Sequence, residues 1–107
     1  VIVLTDSYVA SAGEIFLFHM KAFDHVVQMG DYTTGDFSDG GIRRFLPNGW
    51  EYSYSIQKFL QPDGTSLDGV GHEPDVFIRN TIADIEAGDD KVLEHAFDYL
   101  YEKYDIK

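Results

Sequence analysis

The sequence predicts an α/β fold, and three observations carry that expectation. Residues 1–4 (Val-Ile-Val-Leu) and 26–29 (Val-Val-Gln-Met) are short apolar runs with the length and composition of strands in a parallel sheet. Between them Ala12, Ile15, Phe16, His19, Met20 and Phe23 recur at helical spacing, and Leu17 and Phe18 widen the stripe, so this stretch is a helix packed on more than one side. Further on, Trp50, Tyr52, Tyr54 and Ile56 alternate with Glu51, Ser53, Ser55 and Gln57, which is the period of a strand. Strand, helix, strand makes a βαβ unit, nearly always right-handed with parallel strands.

Each element has a local cause. The first run ends at Thr5-Asp6 and is expected to be covered on both faces. Ser11-Ala12-Gly13-Glu14 opens the helix, which extends to Phe23. Gly30 stops the second strand. Residues 30–41 are polar and carry Gly30, Gly35, Gly40 and Gly41, a loop long enough to suggest a functional one. Residues 42–46 form a strand, and Pro47-Asn48-Gly49 turns it into the alternating strand, since Asn-Gly favours a hairpin. Gln61-Pro62-Asp63-Gly64 is another turn and residues 68–75 a second polar loop. Residues 76–78 are the last strand. A short helix covers 82–86 and ends at Gly88, and Asp89 or Asp90 caps a terminal helix. Val92, Leu93, Ala96, Phe97, Leu100, Tyr101 and Tyr104 form the apolar face of that helix.

Composition excludes several functions. The 107 residues hold one domain at most. Eight Lys and Arg against nineteen Asp and Glu give a net charge of −11, which opposes a sequence-independent grip on nucleic acid or anionic lipid. No apolar run approaches the ~20 residues of a membrane span. Without cysteine there is no disulfide framework, thiolate nucleophile or Cys-ligated zinc. Asp31, Asp36 and Asp39 lie in or beside the glycine loop, but without the spacing and closing Glu of a calcium loop, so no metal is expected. The Trp50/Tyr52/Tyr54 face is expected to be core or sheet-packing surface rather than a ligand stack.

Ser11 has two readings. Ser at the N-cap with Glu three residues later is a capping box, which spacing alone favours. The same strand-turn-helix geometry also presents a serine oxygen beside helix N–H groups that have no intrahelical partner. An oxyanion formed by attack on a carbonyl is stabilised there, with the Ala12 N–H as the natural donor. One hydroxyl cannot serve mainly as both cap and nucleophile.

Ser11-Ala12-Gly13-Glu14-Ile15 in this setting resembles the nucleophile segment of the C-terminal processing (tail-specific) serine proteases, which share the core fold of the Clp protease and crotonase enzymes. Further segments match in order. Gly30-Asp31-Tyr32-Thr33-Thr34-Gly35 resembles the family's Gly-Glu-x-Thr-x-Gly loop, and Leu46-Pro47-Asn48-Gly49 its Leu-Pro-x-Gly hairpin. Asp68-Gly69-Val70-Gly71-His72-Glu73-Pro74-Asp75 resembles its Glu-Gly-x-Gly-Val-x-Pro-Asp signature. Gly88-Asp89-Asp90-Lys91, with Leu93 and Ala96, resembles the start of its final helix. The resemblance implies a Clp protease/crotonase-like partial domain, a βαβ unit plus hairpin and C-terminal helix. Residues 1–107 would be the C-terminal part of a catalytic domain, and the start at Val1, inside an apolar run, is expected to be a cut just before the active-site serine.

The chain departs from the family at two points. In the Ser–Lys branch a lysine follows the loop glycine; here that residue is Asp36. Lys21 lies ten residues from Ser11, ~15 Å along a helix, and Lys58 has no motif support. The sequence is closer to the tricorn-core-like branch, with its Ser–His–Ser–Glu arrangement, in which the histidine comes from an upstream segment and the glutamate position is here Asp68. Asp68 either supports that histidine as the third group of a triad or caps its own loop as an Asx-turn residue. Among the chain's histidines, His19 is expected to be packed or hydrogen-bonded, His25 to sit near the helix C-terminus and His95 to be exposed. His72 is the one in-chain candidate base.

The resemblance implies peptide-bond hydrolysis in the C-terminal regions of peptides or proteins by acyl transfer. Ser11, Ala12 and Asp68 would be the site residues, with no cofactor. The partners would be the substrate and the upstream half of the same protein, in a periplasmic or secreted setting, and the segment alone would be inactive. The alternative is a non-catalytic ligand- or peptide-binding domain on the same fold, as in the retinoid-binding repeats of the photoreceptor matrix.

Overall fold

Residues 27–30 form the central strand of the chain's main sheet. The computed structural model describes residues 1–37 and 41–105. Strands β1 (Ile2–Thr5), β2 (Val27–Gly30) and β5 (Val76–Phe77) make a three-stranded parallel sheet in the order β1-β2-β5. Ile2 pairs with Val27 and Thr5 with Gly30; Met29 pairs with Val76 and Gly30 with Phe77. Helix α1 (Ala12–Met20) connects β1 to β2, giving the expected βαβ unit. It ends before Phe23 because Ala22 and Phe23 donate to His19 and Met20, three residues back, and the tightened turn leads into β2.

Strands β3 (Ile42–Phe45) and β4 (Glu51–Tyr54) pair antiparallel as a separate hairpin, closed where Gly49 N–H donates to Leu46 and Trp50 N–H reaches the Asn48 side chain. Its aromatic face is not core: Trp50 is 72% exposed, and Tyr52, Tyr54 and Ile56 are also exposed. Nothing among the described residues packs over it, because the hairpin forms its own sheet rather than extending the parallel one. Helix α2 (Ile82–Ala87) stops at left-handed Gly88, and α3 (Lys91–Tyr104) starts at Asp90, whose side chain accepts the Leu93 N–H. α3 touches β1 and β2 and buries Ala96, while Leu93, Phe97, Tyr101 and Tyr104 stay exposed.

The unit is a slab of 66 × 37 × 16 Å. Its radius of gyration is 18.0 Å, against ~13 Å for a compact domain of this length. The first strand is accordingly not covered on both faces; Leu4 is exposed and only Thr5 is buried. The core mixes two chemistries. Leu17, Val26, Met29, Phe37 and Ala96 are its apolar members, and Thr5, Glu14, Gln28, Asp31, Thr33 and His72 are buried beside them.

Most of the buried polar groups are paired, as their desolvation requires. Gln28 donates through Nε2 to Thr5 Oγ1 at 3.0 Å and accepts from Lys21 Nζ at 2.9 Å. Thr5 Oγ1 donates to the Asp31 carbonyl at 2.9 Å, and Asp31 Oδ2 accepts Arg79 Nε at 2.7 Å. Lys21 also donates to the Glu73 carbonyl at 2.8 Å. This network ties α1 and β2 to the two polar loops that flank the sheet's C-terminal end.

Candidate active site

Where β1 ends, the chain passes through residues 6–10 and enters α1 at Ser11. The Ser11 backbone has φ 52° and ψ −116°. That is close to the first central position of a type II′ turn, which glycine dominates because a Cβ is strained there. The Ser11 side chain makes no capping bond, so the capping box that spacing favours does not form. Ser11 is exposed and its Oγ has no hydrogen-bond partner among the described residues.

The first turn of α1 leaves one donor over. Gly13 N–H donates to the Ala10 carbonyl, and the Glu14 and Ile15 N–H groups both donate to the Ser11 carbonyl. Ala12 N–H has no acceptor among the described residues. An unused hydroxyl and an unused amide therefore sit on adjacent residues at the positive end of a helix, an arrangement suited to attack on a carbonyl and capture of the resulting oxyanion.

The glycine loop lies against this helix start. Ser11 N–H donates to the Asp36 carbonyl at 2.9 Å, and Gly35 N–H donates to Glu14 Oε1 at 2.7 Å. The second polar loop meets the same segment: Gly69 N–H donates to the Gly35 carbonyl at 2.7 Å, and Phe37 N–H to Asp68 Oδ1 at 3.4 Å. Gly35 has φ 80°, and a Cβ there would lie 2.6 Å from the Val70 nitrogen and 2.7 Å from the Gly71 nitrogen. The two glycine-rich motifs are thus pressed backbone to backbone, which only a residue without a side chain permits.

Asp68 is exposed, and its side chain reaches across to the glycine loop rather than capping its own. Ser11 and Asp68, about sixty residues apart in sequence, are tied to one three-residue segment, 35–37. His72 goes elsewhere. It is buried, its Nε2 lies 3.1 Å from the Glu14 carbonyl, and its own N–H donates to Thr33 Oγ1 at 2.7 Å. Burial is the main cause that pushes the imidazole below its ordinary 6.5, while the Glu14 carbonyl pulls it the other way. The ring is buried and bonded to the first turn of α1, which gives it a packing partner there.

The remaining candidates resolve simply. Lys21 is engaged with Gln28, Glu73 and Asp75 on the far end of α1. His19 Nδ1 bonds the Ile15 carbonyl, as expected of a hydrogen-bonded helical histidine; His25 and His95 are exposed. Asp31 is held by Arg79, and no group of potential metal ligands occurs among the described residues; Asp39 lies outside them. Sequence reasoning missed Glu14 and Gln28 as buried, hydrogen-bonded organisers. For Gln28 a signal existed, since it shares a strand face with apolar Val26.

The motifs have counterparts among known proteins. The model of Peptidase family S41 matches residues 1–78. The crystal structure of a putative peptidase from Parabacteroides merdae superposes with a TM-score of 0.83 at 33% identity, over 97% of this chain and 32% of that one. The tricorn protease superposes with a TM-score of 0.82 at 29% identity, over 95% of this chain and 10% of that one. The chain thus spans about a third of the first and a tenth of the second. No curated protein sequence matches significantly. The α/β core thus superposes on that of the tricorn protease, and the chain belongs to peptidase family S41.

Proposed function

We propose that residues 1–107 are the C-terminal part of the catalytic domain of a serine peptidase that hydrolyses peptide bonds in the C-terminal regions of peptides or proteins. Ser11 Oγ attacks the scissile carbonyl carbon and its proton passes to a histidine outside this segment. The carbonyl oxygen becomes an oxyanion that the Ala12 N–H holds. Collapse breaks the C–N bond and the proton goes to the leaving amine, and water then releases the acyl group from Ser11. Asp68 orients the histidine and stabilises its imidazolium.

The observation that carries this reading is the Ser11 backbone. A serine at φ 52° costs about 1–3 kcal/mol relative to a relaxed one, and its hydroxyl gains no cap in return. Such strain is retained where the exposed oxygen has a use.

The test is a fluorophosphonate serine probe applied to the full-length protein. Labelling at Ser11, lost in Ser11→Ala and reduced in Asp68→Ala, is the expected result. A folded protein that takes no label at Ser11 would sink the peptidase reading and leave the non-catalytic binding domain.

A further inference from the structure

We propose that Glu14 is the positioning residue of this site: its buried carboxylate holds the Gly35 peptide and, through Asp36, keeps Ser11 in the backbone conformation that exposes its hydroxyl. The inference rests on the reading of Ser11 as the nucleophile.

Glu14 occupies the third position of α1 and is 0% exposed. Burying a carboxylate is unfavourable, so its presence here needs an offset. The positive end of the helix supplies part. The rest is the short charge-assisted bond from Gly35 N–H to Oε1, at 2.7 Å. Its second oxygen, Oε2, is buried with no partner among the described residues. Among the described residues, the one bond to this carboxylate comes from the glycine loop.

That bond closes a ring. Glu14 N–H donates to the Ser11 carbonyl at 3.0 Å, Ser11 N–H donates to the Asp36 carbonyl at 2.9 Å, Asp36 follows Gly35, and Gly35 N–H returns to Glu14. Both backbone groups of Ser11 are fixed by it. A strained residue persists only where its surroundings over-determine it, and this ring is what does so at Ser11. It also places the loop that Asp68 meets through Phe37.

The experiment compares Glu14→Gln, Glu14→Asp and Glu14→Leu in the full-length protein. The readouts are the fluorophosphonate labelling rate at Ser11 and hydrogen exchange of the Gly35 and Ser11 amides. Gln keeps an acceptor oxygen of the same reach, and its labelling is expected within about threefold of wild type. Asp, one methylene short, and Leu, with no acceptor, are expected to label about 10- to 100-fold more slowly with faster exchange at both amides. Rescue by Gln but not Asp separates positioning from packing or charge. Folded Asp and Leu variants with wild-type labelling and exchange would overturn the proposal, as would a Gln variant as impaired as Leu. If wild type itself takes no label, the peptidase reading fails, and amide exchange alone decides the clamp.

Discussion

Two helix starts in this chain carry nearly the same four-residue pattern and use it differently. Thr81-Ile82-Ala83-Asp84 opens α2 and forms a complete capping box. The Thr81 side chain accepts the Asp84 N–H, the Asp84 carboxylate accepts the Thr81 N–H, and Thr81 has a relaxed, extended backbone at φ −81°. Ser11-Ala12-Gly13-Glu14 opens α1 and forms none of it. Its serine is strained, with a hydroxyl that has no partner among the described residues, and its glutamate serves a loop twenty-one residues away. The local solution satisfies the helix end and leaves nothing for chemistry. The tertiary solution leaves the hydroxyl and the Ala12 amide unused at the helix N-terminus, and two glycine loops hold the structure that permits it.

If the loops maintain the α1 start, removing their contact has the largest effect. Gly35→Ala places a Cβ against the 69–71 backbone at φ 80°, and a loss of about 3 kcal/mol or more is expected in urea unfolding. A loss below ~1 kcal/mol would mean that the loops can separate without cost, and the contrast between the two helices would fall.

The next effect is a matched pair. Thr81→Ala removes a working cap and is expected to cost about 1 kcal/mol, whereas Ser11→Ala removes none and is expected to change stability by less than ~0.5 kcal/mol. Ser11→Gly is expected to gain about 1 kcal/mol by relieving the positive φ, while losing all probe labelling. Equal losses for the two alanine variants would show that Ser11 caps its helix in solution.

The last effect is a slope with pH. The His72 imidazole lies below its ordinary 6.5 in the folded chain, chiefly through burial. The unfolded chain therefore binds the proton more readily. The His72 contribution is fully present above 6.5 and is lost as pH falls below that value toward the depressed folded one. Unfolding midpoints in that acid range are expected to fall more steeply for wild type than for His72→Asn. Equal slopes would place His72 in solvent rather than beneath α1.

Much of the fold was legible because its causes are local. The apolar runs at 1–4 and 26–29, the helical spacing from Ala12 to Phe23, Asn48-Gly49 and Gly88 each act within a few residues, and each element formed near its expected place, with the first helix ending at Met20. The order of the motifs also pointed to the family. The expectation that failed at Ser11 failed for a non-local reason. A glutamate at N3 has several backbone donors within reach, and the pattern Ser-x-x-Glu does not reveal that Gly35 N–H will arrive as a competitor. His72, four residues after Asp68, was the one in-chain candidate base, and Asp68 was expected to support an upstream histidine or cap its own loop. The fold sends the imidazole beneath α1 and the carboxylate to Phe37.

The sequence by itself determined the elements, their order, the glycines at the loop crossings and the serine between strand and helix, because propensity, turn chemistry and spacing are properties of neighbouring residues. The tertiary structure decided that Ser11 does not cap, that Glu14 clamps, that Gln28 is buried and that the Trp50 face is exposed. Those outcomes depend on which backbone groups distant segments bring within about 3 Å of one another, a distance that hydrogen bonding requires and that no local pattern specifies.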